Sequence, residues 1–438
     1  MVVVNEKKPV RIALLGCGTV GGGVIRLING SPDRLASRIG APLELAHVLV
    51  RDEKRVRVPE CDPSLVTTDA KRVVSDPTVD VVVEVMGGAE PARGYIEASL
   101  RAGKSVVSAN KLLLAQSGSE LLRIAAERGV DLAFEASVGG GIPVIRTLRE
   151  ALTSDHVESV HAILNGTCNY ILTRMRAEEL PFASILADAQ RLGYAEAEPS
   201  LDVDGHDAAQ KLIVLAMLAF GAKVDAARVH VEGISAIDSV DFRFAARFGY
   251  NIKHLCIGRD RGERLELRVH PAMVPATSVI GNTNDVLNCV FIQGRALGPC
   301  VLVGRGAGEM PTAVSVVADI VDVARSRIEG QAGLSTRGIR IRERALMPIE
   351  EIVSRYYLRF DVEDQPGVLA FVAGALGEQG VSIEQMVQEG RGGEGGGTVP
   401  VLMITHSSAE GAVRRAMNRI ATAPFMKAPP RLLRIEAV

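Results

Sequence analysis

The sequence predicts an α/β protein built from three successive parts, and three observations support this. Short apolar runs alternate with helical patterns up to about residue 137. Over about 138–303 the helices are longer and the strict alternation stops. The last part, 354–438, has the element order βαββαβ. These patterns predict a doubly wound parallel sheet, an α+β domain and a ferredoxin-like domain, in that order.

The elements of the first part follow from short apolar runs bounded by turn residues. A continuous apolar run suits a strand buried on both faces of a parallel sheet. We predict strands over 10–15, 43–50, 79–86, 105–108 and 131–136, with helices over 20–28, 94–102 and 119–128. A later helix, over 311–325, has one apolar face, so residues 304–327 are expected to complete this first domain.

The second and third parts differ in the order of their helices and strands, and a charged, glycine-containing stretch separates them. We predict helices over 143–152, 169–176, 182–192 and 207–220, and strands over 162–164, 253–259, 264–271, 286–293 and 298–303. Residues 328–353 are predicted to form a linker. The third part has strands over 356–362, 381–388, 398–405 and 431–436, and helices over 367–378 and 409–420.

Composition excludes several classes of function. The chain has 438 residues and a formal net charge of −2, without a basic run interleaved with aromatic residues. We therefore expect no nucleic-acid partner. No apolar stretch approaches the roughly 20 residues that span a bilayer, so no membrane partner is expected. Six scattered cysteines without a CxxC pair suit reduced thiols, and we expect a cytoplasmic protein.

A glycine-rich motif, G-x-G-x-x-G, follows the first predicted strand and opens the first helix. Gly16 suits the tight turn, Gly18 lets the backbone approach a pyrophosphate, and Gly21 allows close packing of helix on strand. Thr19 and Val20 begin the helix, whose N-terminus would face the anion. This first domain is therefore predicted to be Rossmann-type and to bind a dinucleotide.

The end of the second strand selects between the two nicotinamide cofactors. An acidic residue there holds the ribose hydroxyl of NAD, whereas an arginine accommodates the 2′-phosphate of NADP. Arg51 comes first after the strand and favours NADP, while the adjacent Asp52 leaves NAD open.

Two lysines are candidates for acid–base chemistry. Lys111 directly follows a predicted strand, at the edge of the sheet where ligands bind. Lys211 lies four residues after Asp207, so the two share one helix face, and Glu196 and Glu198 precede them. Carboxylates beside a lysine can position it and bind a substrate ammonium group. An exposed ion pair without catalytic consequence is the alternative interpretation.

Five ordered motifs closely resemble homoserine dehydrogenases and cover about residues 10–325. They are the glycine turn, SANK at 108–111, NGTCNYILTRM at 165–175, LGYAEAEPSLDVDGHDAAQK at 192–211 and GRGAGEMPTA at 304–313. The segment DQPGVLA at 364–370 resembles an ACT domain, which many bacterial members of the family carry. Glu198 stands where the family usually has Asp.

The resemblance implies the reversible, NAD(P)H-dependent reduction of L-aspartate 4-semialdehyde to L-homoserine, within threonine, methionine and isoleucine biosynthesis. It implies that Lys211 donates the proton to the aldehyde oxygen and that Lys111 is a second active-site lysine near nicotinamide and substrate. The substrate-binding residues that it implies are Glu196, Asp207 and Asp202. Further cofactor contacts match Gly193 and Gly308.

The resemblance also implies two sites outside the chemistry. The Glu135–Ile142 loop resembles a monovalent-cation loop, in which Glu135 and the backbone of Val138, Gly140 and Ile142 would hold Na⁺ or K⁺ structurally. The ACT resemblance implies feedback control by threonine near Asp364, Pro366 and Gly367, and a homodimer or homotetramer. A pure dimerisation role is the alternative for this last domain.

Two rival functions are weighed against the dehydrogenase. Cys168 could act as a thiol nucleophile, but the nearest histidine, His161, has no motif around it. Alternatively the chain could be an amino-acid-responsive binding protein without catalysis. The two lysines and the carboxylate block argue against that alternative.

Overall fold

The computed structural model describes residues 8–334, 336, 338–389 and 397–438. Within these ranges, no helix is both long and apolar enough to cross a membrane.

The first part of the chain forms one six-stranded, all-parallel sheet. Its strands are β1 (Val10–Leu15), β2 (Leu43–Leu49), β3 (Val66–Thr67), β4 (Val81–Glu84), β5 (Ser105–Ser108) and β6 (Leu132–Ala133). Its helices are α1 (Thr19–Gly30), α2 (Pro32–Ile39), α3 (Ala70–Ser75), α4 (Ala92–Arg101) and α5 (Lys111–Arg128). The strand order is β3-β2-β1-β4-β5-β6, the doubly wound order that the alternating pattern predicts.

This order places a crevice above the carboxyl ends of β1 and β4. The chain leaves β1 towards β2 on one side and continues from β4 towards β5 on the other. Ligands of open α/β sheets bind at such a switch point. The strands are buried on both faces, because helices cover both sides of the sheet.

The second part adds helices and long antiparallel strands. It starts with α6 (Val144–Arg146), which continues as a π-helix over Thr147–Ala151. The next elements are β7 (Val157–Ile163), α7 (Gly166–Glu178), α8 (Phe182–Arg191), α9 (Ser200–Val203) and α10 (His206–Ala219). They continue with β8 (Ala222–Lys223), β9 (His230–Val231), α11 (Ser239–Arg247), β10 (Tyr250–Arg261), β11 (Arg264–Pro275), α12 (Val279–Asn282), β12 (Leu287–Gly294) and β13 (Gly298–Arg305). Then α13 (Glu309–Ile328) returns to the first sheet and packs its apolar face beside α1.

The third part has the predicted βαββαβ order. Its main elements are β16 (Val353–Glu363), α14 (Val368–Glu378), β17 (Ile383–Gln388), β18 (Thr398–Thr405), α15 (Glu410–Ala421) and β20 (Arg431–Ile435), with β19 (Ser408–Ala409) beside β16. Before them, β14 (Arg342–Glu343) pairs with β8 and β15 (Ala345–Leu346) pairs with β11. The stretch predicted as a linker is thus partly docked onto the second part.

One sheet joins the second and third parts, which the sequence patterns did not predict. Its main path runs β13-β12-β7-β10-β11-β20-β16-β18-β17. The junction is the parallel pair β11–β20, in which Ala272 and Met273 lie opposite Arg434 and Ile435. The ferredoxin-like unit therefore continues the sheet of the second part through its last strand.

Candidate active site

The glycine turn has the shape of a phosphate cradle. Gly16 adopts φ +102°, and a Cβ there would lie 3.0 Å from the carbonyl oxygen of Val85. A Cβ on Gly21 would lie 2.3 Å from the carbonyl oxygen of Gly16, so only glycine fits. Around Gly18, in contrast, the described structure leaves open space beyond the turn. The turn therefore has room for a pyrophosphate at the N-terminus of α1, where Thr19 and Val20 begin the helix.

The candidate adenosine end of the cofactor site carries an exposed arginine. Arg51 is the second residue after the end of β2, and its side chain forms no hydrogen bond with any residue that the structure describes. Arg57 organises the loop beyond it by donating to the carbonyl oxygens of Glu53 and Arg55. Asp52 accepts a hydrogen bond from the Lys54 amide. The choice between NADP and NAD stays a prediction.

Both candidate lysines line one cavity of about 280 Å³ above the crevice. Lys111 is the first residue of α5, and the Asn110 side chain caps that helix by accepting from the Leu113 amide at 3.1 Å. Lys211 reaches the cavity from α10, in the second part of the chain. The other lining residues come from both parts: Val20, Val85, Met86, Gly87, Ala109, Ala136, Ser137, Gly139, Gly140, Gly306, Ala307 and Thr312.

A single carboxylate holds the two lysines together. Oδ2 of Asp207 accepts from Lys211 at 2.6 Å, and Oδ1 lies 3.0 Å from Nζ of Lys111. Lys211 also donates to the carbonyl oxygen of Leu164 at 2.8 Å. An ammonium group has three donors, so Lys211 retains one for the cavity. The exposed ion pair considered as an alternative is ruled out, because the side chains of Asp207 and Lys211 are only 6% and 12% exposed.

The charge state of this cluster follows from its neighbours. Burial alone would raise the pKa of Asp207, but the ammonium groups of Lys211 and Lys111 hold it well below the ordinary value. Asn165 joins the cluster by donating to Asp207 at 2.9 Å and to Asp202 at 2.7 Å. Burial raises the pKa of Asp202, against the Asn165 hydrogen bond. Asp207 therefore remains ionised and fixes both amines.

Glu84 is a buried carboxylate at the crevice that sequence reasoning missed. It ends β4, is fully buried, and accepts hydrogen bonds from the Met86 amide at 2.8 Å and the Ser108 hydroxyl at 2.7 Å. Burial raises its pKa, although these hydrogen bonds oppose that shift. Glu84 thereby shapes the backbone over which the cavity forms. An acid closing the apolar run VVVE was the available sequence signal.

Three other residues predicted to bind substrate or cofactor are exposed and are not among the residues that line the cavity. Glu196 is exposed, and its backbone carbonyl oxygen accepts from the Gln190 side chain at 3.0 Å. Gly193 adopts φ +78° in the same exposed loop, which Thr167 tethers by donating to the Tyr194 carbonyl oxygen. Gly308 precedes α13 with φ +115°. The binding roles of Glu196, Gly193 and Gly308 stay predictions.

The Glu135–Ile142 loop is tightly constrained. Both carboxylate oxygens of Glu135 accept backbone amides, from Ile145 and Arg146, at 2.8 Å each. The Gly140 carbonyl oxygen accepts from the Ser315 hydroxyl at 2.6 Å. The Val138 and Ile142 carbonyl groups lie in the same turn, whose Ile142 amide donates to the Gly139 carbonyl oxygen. The Glu135 side chain is therefore engaged by the backbone of α6, and cation binding stays a prediction.

The predicted effector turn is exposed at the start of α14. Gly367 adopts φ +93° as its N-terminal cap residue, and Pro366 precedes it. The Asp364 amide donates to the Gly397 carbonyl oxygen at 3.2 Å, and its carboxylate accepts from Gln388 at 3.3 Å. An effector role for this turn also stays a prediction.

The rival thiol nucleophile is structurally unsuitable. Cys168 is fully buried and donates to the carbonyl oxygen of Asp202 at 3.2 Å. Burial raises the pKa of this thiol well above its ordinary value. The thiolate is the nucleophilic form, so Cys168 is inert here.

The fold and the site together define a nicotinamide-dependent dehydrogenase with a C-terminal ferredoxin-like domain. Comparison with protein families agrees in each part. The homoserine dehydrogenase NAD-binding domain matches residues 16–135, the homoserine dehydrogenase domain matches 143–321, and the ACT domain matches 356–422. The chain belongs to the homoserine dehydrogenase family.

Full-length relatives give the same result. The homoserine dehydrogenase of Pseudomonas aeruginosa is 40% identical over 98% of this chain and 99% of its own length. That of Corynebacterium glutamicum is 41% identical over 98% of this chain and 96% of its own. The crystal structure of a homoserine dehydrogenase from Thiobacillus denitrificans superposes with a TM-score of 0.90, at 38% identity, over 99% of both chains. The family resemblance, the three-part fold and the ACT domain are confirmed.

Proposed function

We propose that the protein interconverts L-aspartate 4-semialdehyde and L-homoserine with Lys211 as the proton donor and acceptor. The observation that carries this proposal is the ammonium of Lys211. It is held by two internal acceptors, Asp207 and Leu164, while it lines the cavity at the switch point. Its third hydrogen is left for a substrate oxygen in the cavity.

The residues of the chain divide the chemistry between them. A bound nicotinamide supplies or accepts the hydride. In reduction, the aldehyde oxygen gains negative charge, and Lys211 stabilises it and transfers a proton to it. In oxidation, neutral Lys211 accepts the hydroxyl proton. Lys111 lies on the opposite oxygen of Asp207 and adds positive charge on the cofactor side of the cavity.

Asp207 is a positioning residue for both amines, since it contacts each of them directly. With Asp207 occupied by the lysines, Asp202 and Glu196 are the carboxylates that we assign to the substrate ammonium group. Asp202 is anchored to the same Asn165 that donates to Asp207. Glu196 lies on the exposed 192–199 loop, so its contribution requires that loop to close over the substrate.

We assign NADP as the preferred cofactor, on the exposed guanidinium of Arg51 at the end of β2. Arg51→Glu is expected to raise the KM for NADP and to lower that for NAD. If the ratio of the KM for NADP to the KM for NAD is unaffected by this change, the assignment is refuted.

We further propose a structural Na⁺ or K⁺ in the Glu135–Ile142 loop, threonine control through the ACT domain, and a homodimer or homotetramer. The tight turn of the loop, in which Gly139 and Gly140 adopt positive φ, supports the first. The ACT match supports the second and third.

The test of the main proposal is homoserine oxidation, followed as the appearance of reduced cofactor with NADP and NAD separately. Turnover that depends on Lys211 is expected with L-homoserine. Absence of turnover with either cofactor would refute the enzyme and favour an amino-acid-responsive binding protein.

A further inference from the structure

A carboxylate without a cationic partner is buried at the carboxyl end of β4, where the crevice opens. Glu84 is the last residue of this strand, and its side chain is 0% exposed. Among the residues that the structure describes, no lysine, arginine or histidine forms a salt bridge with it. A buried charge is costly unless hydrogen bonds replace the water that it has lost. The groups around Glu84 therefore decide whether a negative charge persists there.

Four donors surround the carboxylate of Glu84. Oε1 accepts from the Met86 amide at 2.8 Å and from the Gly87 amide at 3.2 Å. Oε2 accepts from the Ser108 hydroxyl at 2.7 Å, and the Asn110 side chain donates to Oε1 at 3.5 Å. Hydrogen bonds donated to a carboxylate stabilise its ionised form. The arrangement thus favours a negative charge, although burial raises the pKa of Glu84.

The two backbone donors bring this charge to the wall of the cavity. Met86 and Gly87 both line the same cavity as the two candidate lysines. The preceding residue, Val85, lies against the glycine turn, because a Cβ on Gly16 would be 3.0 Å from the Val85 carbonyl oxygen. The backbone that Glu84 holds therefore lies between the phosphate cradle and the lysines.

The other oxygen of the carboxylate is tied to the start of α5. The Ser108 hydroxyl accepts from the Asn110 amide at 3.1 Å, and the Asn110 side chain donates to the Gly88 carbonyl oxygen at 2.6 Å. Lys111 is the next residue and begins α5. One carboxylate thus joins the carboxyl ends of β4 and β5, so its charge has a fixed position beside the cavity.

The reaction changes the charge of the cofactor ring. An oxidised nicotinamide ring is a cation, whereas the reduced ring is neutral. A fixed negative charge in a water-poor site stabilises a cation and has little effect on a neutral ring. We propose that the buried negative charge of Glu84, held behind Met86 and Gly87, makes the cofactor site prefer the oxidised over the reduced nicotinamide.

This preference favours hydride transfer to the aldehyde, because that step creates the cationic ring. It rests on the proposed nicotinamide-dependent function, but not on Lys211 as the proton donor. Binding of the cofactor in the absence of homoserine therefore tests the preference separately from turnover.

The experiment compares the oxidised and reduced forms of one cofactor, NADP or NAD, on the full-length chain. Calorimetry gives the Kd of the oxidised form, and nicotinamide fluorescence gives that of the reduced form. Glu84→Gln removes the charge, but it keeps an oxygen for the Met86 and Gly87 amides and an amide group that can donate to the Ser108 hydroxyl. The ratio of the oxidised Kd to the reduced Kd should rise about tenfold, or by about 1.4 kcal/mol.

Asp80→Asn is the matched control, because Asp80 precedes the opposite end of β4 and pairs there with Arg327 at 3.0 Å. It removes one carboxylate charge beside the same strand, and the ratio should stay within about twofold of wild type. An unchanged ratio in a folded Glu84→Gln chain would overturn the proposal. An equal rise in Asp80→Asn would do so too.

Proton release decides the case in which Glu84→Gln does not fold. The cationic ring favours an ionised carboxylate nearby, so the oxidised cofactor should expel a proton from Glu84 at mildly acidic pH. Calorimetry in two buffers of different ionisation enthalpy measures this release between about pH 5 and 7. The background for both forms is Asp202→Asn, which removes another carboxyl group near the lysines whose pKa burial raises.

The oxidised form should release more protons than the reduced form, and equal release would overturn the proposal. Failure of both NADP and NAD to bind would refute the preference together with the nicotinamide-dependent function. Lack of homoserine turnover by a chain that binds the cofactor would refute the proposed function alone, because the ratio of the two Kd values would still decide the role of Glu84.

Discussion

Replacing Lys211 by methionine removes the proposed proton donor while it keeps a side chain of similar length. Lys211 lines the cavity, and its ammonium group is held by two internal acceptors, Asp207 and Leu164, which leaves one hydrogen for a substrate oxygen. In the methionine variant, the negative charge that develops on the substrate oxygen has lost this hydrogen-bond donor. Lys111 remains in the cavity, but among the residues that the structure describes its ammonium group has only one polar side-chain contact, to Asp207.

General acid–base catalysis contributes about 10²–10⁴-fold, so kcat should fall by that amount, or by roughly 2.7–5.4 kcal/mol of barrier. The fold should survive. Asp207 loses one ammonium partner but keeps Lys111 at 3.0 Å and Asn165 at 2.9 Å, whereas the Leu164 carbonyl oxygen loses the Lys211 donor. That loss costs about 1–3 kcal/mol of stability.

The assay is steady-state homoserine oxidation and semialdehyde reduction, with thermal melting as a check on folding. Homoserine deuterated at its carbinol carbon adds a second readout. The isotope effect on kcat should increase in Lys211→Met, because chemistry then limits turnover instead of a conformational or release step. Lys211→Arg and Lys111→Met are the matched controls, and the second should raise KM as well as lower kcat.

A folded Lys211→Met enzyme whose kcat stays within about threefold of wild type would refute the assignment. A large loss of kcat accompanied by a large drop in melting temperature would also count against the assignment, since the effect would then be structural.

Three further predictions follow from other contacts. Gly18→Ala should raise the cofactor Kd without lowering Tm, because the Gly18 position opens on free space, whereas Gly21→Ala should lower Tm as well; equal Tm losses would contradict the turn geometry. Burial raises the pKa of Asp319 to about 7, above its unfolded value of about 3.9, so its contribution to stability is fully present at low pH and is lost as pH rises between these values. Asp319→Asn should therefore make Tm less dependent on pH from about 4 to 7, and an unchanged melting profile would exclude this. Exchange of Na⁺ or K⁺ for a bulky organic cation should lower Tm if the Glu135–Ile142 loop holds an ion, and identical melting in all salts would remove the site.

Local sequence patterns were sufficient for the parts of the fold that depend on local physics. The apolar runs and the glycine motif predict the first sheet and its turn, and β18 has the predicted bounds of 398–405. The helix spacing of Asp207 and Lys211 predicts their contact. These features need no knowledge of distant residues.

Features that depend on distant residues were missed or misjudged. The contact of Asp207 with Lys111 joins two domains, and no local pattern encodes it. β11 extends to Pro275, four residues beyond the predicted end. Its buried Arg268 pairs with Glu436, so a charge occupies a position that alternation would leave exposed. The 143–152 helix proved to be a short α-helix followed by a π-helix.

The parallel pairing of β20 with β11 has a consequence for biosynthesis. Residues 431–435 emerge from the ribosome long after β11, so Met273 lacks its neighbour Ile435 while the ACT domain is still being translated. An uncovered strand edge can pair with another nascent chain. The sheet of the second part is thus completed only when β20 has been made. Loss of a few residues near position 435 would expose the edge of β11 as well as disrupt the ACT domain.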